Sequence, residues 1–172
     1  MGDLFDKVTE GQDPLTKLIG KIPGFSGYIE KNNRRAADKL LREQIAGEYT
    51  KLWKRVGNLQ QDLASSGELQ YLDELETAAT KMQTFIDKVS NAAYGYAGFF
   101  DAVKVKEEEL AKIYQFDAAL LEMSDEVSRA IDNVESSIGS DGLPAAIRHL
   151  VGLARDLVST FENRHDVVVA IE

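Results

Sequence analysis

The side chains best suited to chemistry in this chain are carboxylates and histidines that could hold a metal. A di-metal carboxylate site in a four-helix bundle needs Glu-x-x-His on two helices and a glutamate on each of the other two. One such pair is present, Glu162-Asn163-Arg164-His165. The other histidine, His149, follows Ala146 at that spacing and would lie about 24 Å from His165 along a common helix. We therefore predict no metal site and no cofactor.

Motifs for nucleophilic catalysis and phosphate binding are absent from the sequence. No serine stands in a Gly-x-Ser-x-Gly turn, the chain has no cysteine, and no glycine-rich loop ends in Lys-Ser or Lys-Thr. The run Glu107-Glu108-Glu109 is typical of the first turn of a helix, where the helix dipole favours acidic side chains. We predict that the protein is not an enzyme. A bundle that binds a small ligand, or a di-metal enzyme, is the alternative.

Basic residues cluster between positions 31 and 42, and they are one candidate for binding a partner. An anionic surface, either lipid headgroups or nucleic acid, would be the target. Pairing within the helix is the competing explanation, because Lys39 and Glu43 stand four residues apart. Nucleic acid is disfavoured by the net charge of -9 and by the lack of aromatic residues among these charges. The cluster consists of Lys31, Arg34, Arg35, Lys39 and Arg42.

Aromatic residues form the second candidate surface. We expect them at the same end of the fold as the basic cluster, where exposed Tyr, Phe and Arg would mark an interaction site. Mutual packing of these rings is the alternative. The candidates are Phe25, Tyr28, Tyr94, Tyr96, Phe99 and Phe100.

Long amphipathic helices must position these residues. The first, Asn33 to Leu63, has apolar residues at gaps of three or four throughout, which places them on one stripe. Three more helices of similar periodicity follow, including Lys106 to Ile138 and one opened by Pro144, so the sequence predicts an all-α, antiparallel four-helix up-down bundle. The stripe of the first helix comprises Ala37, Leu41, Ile45, Tyr49, Leu52, Val56, Leu59 and Leu63. That of the second comprises Leu69, Leu72, Leu75, Ala79, Met82, Ile86, Val89 and Ala93.

A short amphipathic helix precedes the bundle. We divide the chain into an N-terminal amphipathic segment, 1–29, and the helical bundle, 30–172. Asp13-Pro14 predicts the start of the short helix and Pro23-Gly24 its end. Docking onto the bundle is favoured over lying in a membrane interface, because two turns bind lipid weakly. Trp53 is expected in the core, and whether residues 94–103 break or continue the helix is left open.

Charge distribution and targeting signals bear on how the helices pair and on the compartment in which the protein is expected. Residues 30–62 carry eight basic and five acidic side chains, whereas residues 68–138 carry six and fifteen, so oppositely charged helices would favour pairing. The N-terminus lacks a secretory signal and the absence of cysteine fits a reducing compartment. We therefore expect a cytoplasmic protein.

Two motifs carry a family resemblance. IPGFSGYIEKNNRRAADKLLRE (22–43) and YGYAGFFDAVKV (94–105) resemble an uncharacterised bacterial family of helical-bundle proteins, whose members often accompany band-7 membrane-scaffold proteins. The resemblance implies proximity to a membrane and no particular activity. Our hypothesis is a non-enzymatic interaction or scaffold protein that binds a protein partner or itself, and that can contact an anionic membrane peripherally.

Overall fold

The computed structural model describes residues 14–30, 34–91 and 107–169, and these ranges consist of helices and short turns. They contain no strand, so the all-α prediction is confirmed. The two longest predicted helices end within two residues of their expected bounds. The α-helices of these ranges are α1 (Pro14–Lys21), α2 (Phe25–Glu30), α3 (Arg34–Ser65), α4 (Leu72–Asn91), α5 (Glu107–Ser137) and α6 (Leu143–Val169), and a 3-10 turn precedes α4 at Leu69–Tyr71.

The four long helices form two antiparallel hairpins, α3–α4 and α5–α6, packed side by side. Contacts between the hairpins show their relative direction. On α3 the Tyr49 hydroxyl donates to the Leu120 carbonyl of α5, and further along Arg55 pairs with Asp132, so these two helices run parallel. Both hairpin turns therefore lie at one end, which we call the upper end. The antiparallel up-down prediction is confirmed.

The turn between α3 and α4 requires a glycine at position 67 because of its backbone conformation. The amide of Glu68 donates to the Leu63 carbonyl (2.9 Å) and that of Gly67 to the Ala64 carbonyl (3.3 Å), which is a Schellman motif. This motif places Gly67 at φ +82°, where a side chain would be strained. The 3-10 turn Leu69–Tyr71 follows, and Leu69, predicted on the buried stripe of the second helix, is instead 61% exposed.

The core confirms the predicted stripe of α3, whose eight residues are all buried. The stripe of α4 was too narrow, because Ala78 and Phe85 are also buried. Trp53 was assigned wrongly to the core. It lies next to the buried Leu52, about 100° around the helix, and its side chain is 36% exposed.

The N-terminal helices pack onto the bundle, α1 against α5 and α2 against α3. Leu18 and Ile22 are buried in the same cluster of apolar residues as the bundle core. Lys21 Nζ lies 3.5 Å from Asp125 Oδ2 of α5. The structure therefore shows that α1 and α2 dock onto the bundle. After the break at Pro23-Gly24, the separate short helix α2 (Phe25–Glu30) precedes α3.

Tyr49 is a large, fully buried side chain of this core that carries a polar hydroxyl group. Its hydroxyl is the donor to the Leu120 carbonyl, and its ring meets that of Phe85 edge-on, with centroids 4.8 Å apart. Burial raises the pKa of Tyr49 far above its usual range, and the negative charges of Asp125 and Glu126 add to the effect. The hydroxyl therefore stays neutral and remains a hydrogen-bond donor at physiological pH.

Candidate interaction surface

The predicted aromatic candidates near the N-terminus have different environments. Phe25 is 0% exposed and packs edge-on against Tyr114 of α5, with ring centroids 5.9 Å apart. Its role is therefore in the core, which corrects the expectation that it contacts a partner. Tyr28, three residues later, is 39% exposed and remains available at the surface.

The basic candidates lie at the lower end of the bundle, where α3 begins. Arg34 and Arg35 form the start of that helix. Lys39 is exposed and its Nζ lies 3.9 Å from Glu43 Oε1, which is the pairing within the helix that the sequence allowed. Arg42 is half-buried. Lys31, Tyr94, Tyr96, Phe99 and Phe100 lie outside the described residues, so their gathering at the lower end stays a prediction.

Of the Glu-x-x-His pair, the structure describes the side chain of Glu162, and that of His165 lies outside the described part of the chain. Glu162 Oε1 accepts a hydrogen bond from Lys88 Nζ at 3.1 Å, which joins α6 to α4. His149 is exposed on α6. Within residues 14–30, 34–91 and 107–169, no group of three or more His, Cys, Asp or Glu side chains is placed to hold a metal ion. None of the helices in these ranges is both long and apolar enough to cross a membrane.

An open groove of about 1140 Å³ between α3 and α4 was not predicted from the sequence. It lies on the outer side of the first hairpin, opposite the core. From α3 it is lined by Trp53, Lys54, Gly57, Asn58, Gln60, Gln61 and Ala64, and from α4 by Leu72, Asp73, Glu76, Ala79, Thr80, Gln83 and Thr84. We call this feature the hairpin groove.

The hairpin groove has an apolar contact point at each end. Because the helices are antiparallel, the lower end combines Trp53 with Thr84, and the upper end combines Ala64 with Leu72. Between these ends Gln60 Nε2 donates to Glu76 Oε2 at 2.8 Å and ties the two helices together. The span from Trp53 to Ala64 is about 17 Å along α3, which is three helical turns.

The middle of the groove is open because Gly57 has no side chain. A Cβ atom built on Gly57 would meet no neighbouring atom within 4 Å. The floor of the groove at this position is therefore backbone without a side chain.

Basic and acidic side chains of the groove lie toward opposite ends. Lys54 lies at the lower end beside Trp53, Asp73 lies at the upper end next to Leu72, and Glu76 lies between the two ends. Thr84 and Glu76 are already hydrogen-bonded within the hairpin, since the Thr84 hydroxyl donates to the Thr80 carbonyl at 2.9 Å. The lining therefore combines two apolar anchors, an open centre and opposite charges at its two ends.

The sequence held one signal for this groove. Trp53, Gly57, Gln61 and Ala64 recur at gaps of three or four, so they form a second stripe on α3 that is small and polar except for the indole. The sequence does not show which helix lies beside that stripe. No protein-family model, curated protein or solved structure matches this chain.

Proposed function

We propose that the protein is a non-enzymatic interaction or scaffold protein that binds protein partners through the hairpin groove. The observation that carries the proposal is the partly exposed indole of Trp53 beside the open floor at Gly57. Tryptophan is strongly enriched among the residues that dominate binding energy at protein interfaces. A groove between two antiparallel helices has the shape that accepts a helix from another molecule.

The lining chemistry supports binding rather than turnover. A catalytic pair needs a base within hydrogen-bond reach of a nucleophile and free to act on it. In the groove the Thr84 hydroxyl donates to a backbone carbonyl and Glu76 accepts from Gln60. The small-ligand alternative makes a different prediction for the purified protein, because native mass spectrometry would then show a retained small molecule.

Filling the groove with one side chain tests the proposal. Gly57→Gln should fold at least as stably as the native chain, because its Cβ meets no atom within 4 Å and glutamine favours helix more than glycine does. It should nevertheless reduce capture of groove-binding partners by tenfold or more, roughly the effect of disturbing a central contact. Affinity capture from a lysate of the source organism, with quantitative mass spectrometry, measures this.

Gly47→Gln is the matched control. Gly47 lies on the same helix and would also place its Cβ in open space, but it is more exposed than Gly57 and does not line the groove. Proteins captured by the native chain and by Gly47→Gln, and lost with Gly57→Gln, are groove partners. Equal capture by all three chains would show that the groove does not bind partners.

Peripheral contact with an anionic membrane is the finer part of this proposal. It is supported by the exposed Tyr28 close to the basic start of α3. Each Lys or Arg near an anionic bilayer contributes about 1 kcal/mol, so Arg35→Glu with Lys39→Glu should lower binding to phosphatidylserine vesicles at least roughly thirtyfold. Vesicle co-sedimentation measures this, with Lys51→Glu plus Lys81→Glu as an equal charge change elsewhere. Equal losses in both double variants would mean that net charge, and not the start of α3, determines binding.

A further inference from the structure

We propose that the occupant of the hairpin groove is an amphipathic helix of another protein whose charges are separated by end. Its Lys and Arg residues lie over the upper half of the groove, and its Asp and Glu residues lie over the lower half near Lys54. This inference rests on the proposed function, because it names the chemistry of the partner for the same surface. It is carried by the distribution of charge along the hairpin and by the spacing of the apolar contact points.

The upper part of the hairpin α3–α4 is acidic. The hydrogen bond between Gln60 and Glu76 gives the register of the two helices, in which residues 56 and 80 lie at about the same level. The part of the hairpin above that level carries five acidic side chains and no basic one: Asp62, Glu68, Asp73, Glu74 and Glu76. Two of them, Asp73 and Glu76, line the groove. Basic side chains on a partner are therefore favoured here, and acidic ones are disfavoured.

The hairpin below that level is basic. Residues 48–55 and 81–88 together carry five basic and two acidic side chains. Arg55 and Lys88 form ion pairs with the other hairpin, whereas Lys54 lines the groove. The charge of the hairpin therefore changes sign along the groove. A partner helix with separated charges matches both halves, whereas a helix with evenly mixed charges meets like charge in each half.

The apolar contact points set the spacing of the apolar side chains on the partner. Trp53 lies at the lower end of the groove, and Ala64 with Leu72 lies at the upper end. These ends are about 17 Å apart along α3, which corresponds to about eleven residues of a partner helix. The floor between them is open at Gly57, so a helix can rest on both ends at once. Apolar side chains at i and i+11 lie on one face of a helix and would contact the two ends.

Two synthetic peptides without tryptophan test this chemistry. Both are about 18 residues long, carry leucine at i, i+4, i+7 and i+11, and contain equal numbers of Lys and Glu. In the first peptide the lysines occupy one half and the glutamates the other, and in the second they alternate. A side-chain staple on the outer face holds both peptides helical, so the two differ in the order of their charges and not in helix content.

The emission of Trp53 measures binding at the groove, because it is the single tryptophan of the chain. It should shift to shorter wavelength as a peptide covers the indole. The peptide with separated charges should bind about tenfold or more tightly than the alternating peptide, because only the first meets opposite charge in both halves. The difference should shrink in about 1 M salt, where the screening length is about 3 Å. Gly57→Gln should lose binding of both peptides, and Gly47→Gln should retain it.

Charge reversal in the groove tests which side chains select the partner. Asp73→Lys with Glu76→Lys should reduce the preference for separated charges to about twofold or less, because the upper half is then no longer strongly acidic. The matched control is Glu135→Lys with Asp156→Lys, an equal charge change at exposed positions of the second hairpin, which should leave most of the preference in place. Circular dichroism of each variant verifies that its helices are retained.

Four results would overturn the inference about charge. They are equal affinity for the two peptides, no emission shift with either peptide, binding that Gly57→Gln leaves intact, or an equal loss of preference in both double variants. An emission shift of the native chain alone with rising concentration, lost in Gly57→Gln, would also overturn it by making a second copy the occupant. Capture of heterologous proteins that depends on Gly57 would preserve the proposed function in each of these cases. Loss of that capture together with peptide binding would contradict both proposals.

Discussion

Replacing Phe85 with alanine should lower the free energy of unfolding by about 3–5 kcal/mol, the usual cost of truncating a buried phenylalanine. Phe85 is fully buried on α4, and its ring joins three helices. It meets Tyr49 of α3 edge-on at 4.8 Å and Phe161 of α6 edge-on at 6.1 Å. Since domains are stable by about 5–15 kcal/mol, the loss is a large fraction of the total. Guanidinium titration followed by circular dichroism measures it.

Two comparisons separate this packing effect from a general effect of substitution. Lys81→Ala changes an exposed residue one turn earlier on the same helix and should cost less than about 0.5 kcal/mol. A cycle combining Phe85→Ala with Phe161→Ala should show that the two losses do not add, because each removes the other's ring contact. A loss below about 1 kcal/mol for Phe85→Ala would mean that the three helices do not meet at this ring.

The buried face of α3 was predictable from the sequence, and that of α4 was only partly so. On α3 eight residues at gaps of three or four point to one side, and all are buried. The rhythm chosen for α4 included Met82 and Ile86 but omitted Ala78 and Phe85. The buried face of α4 is wider than one narrow stripe, because the ring of Phe85 lies beside that stripe and packs against rings of both α3 and α6. Which helices pack against a given helix depends on the whole fold, so the periodicity of that helix alone does not predict it.

Trp53 illustrates a different limit. Its neighbour Leu52 is buried, and a large apolar side chain at the edge of an apolar stripe is usually predicted to lie in the core. The structure turns it toward the groove instead, where the lack of a side chain at Gly57 leaves space beside it. The sequence contains both residues, but the groove exists only because α4 lies alongside, with its small Ala79 and Thr80 facing the gap. A surface shared by two helices requires their pairing to be known.

Phe25 and Tyr28 provide the last test, because they are three residues apart in one motif and differ in burial. Phe25→Ala should lower the free energy of unfolding by about 3 kcal/mol, since it removes a fully buried ring that packs against Tyr114 of α5. Tyr28→Ala should cost less than about 1 kcal/mol, because the side chain is 39% exposed. Guanidinium titration of the two variants gives both values.

The difference between these variants decides how the IPGFSGY motif is used. Phe25 belongs to the same apolar cluster as Leu18 and Ile22, so its loss should also speed amide hydrogen exchange in α1, which docks through those residues. Tyr28→Ala should leave exchange in α1 unchanged while it weakens vesicle binding, if the lower end contacts a membrane. Equal destabilisation by both variants would place Tyr28 in the core and remove it from the candidate surface. A neutral Phe25→Ala would contradict docking of the N-terminal helices onto α5.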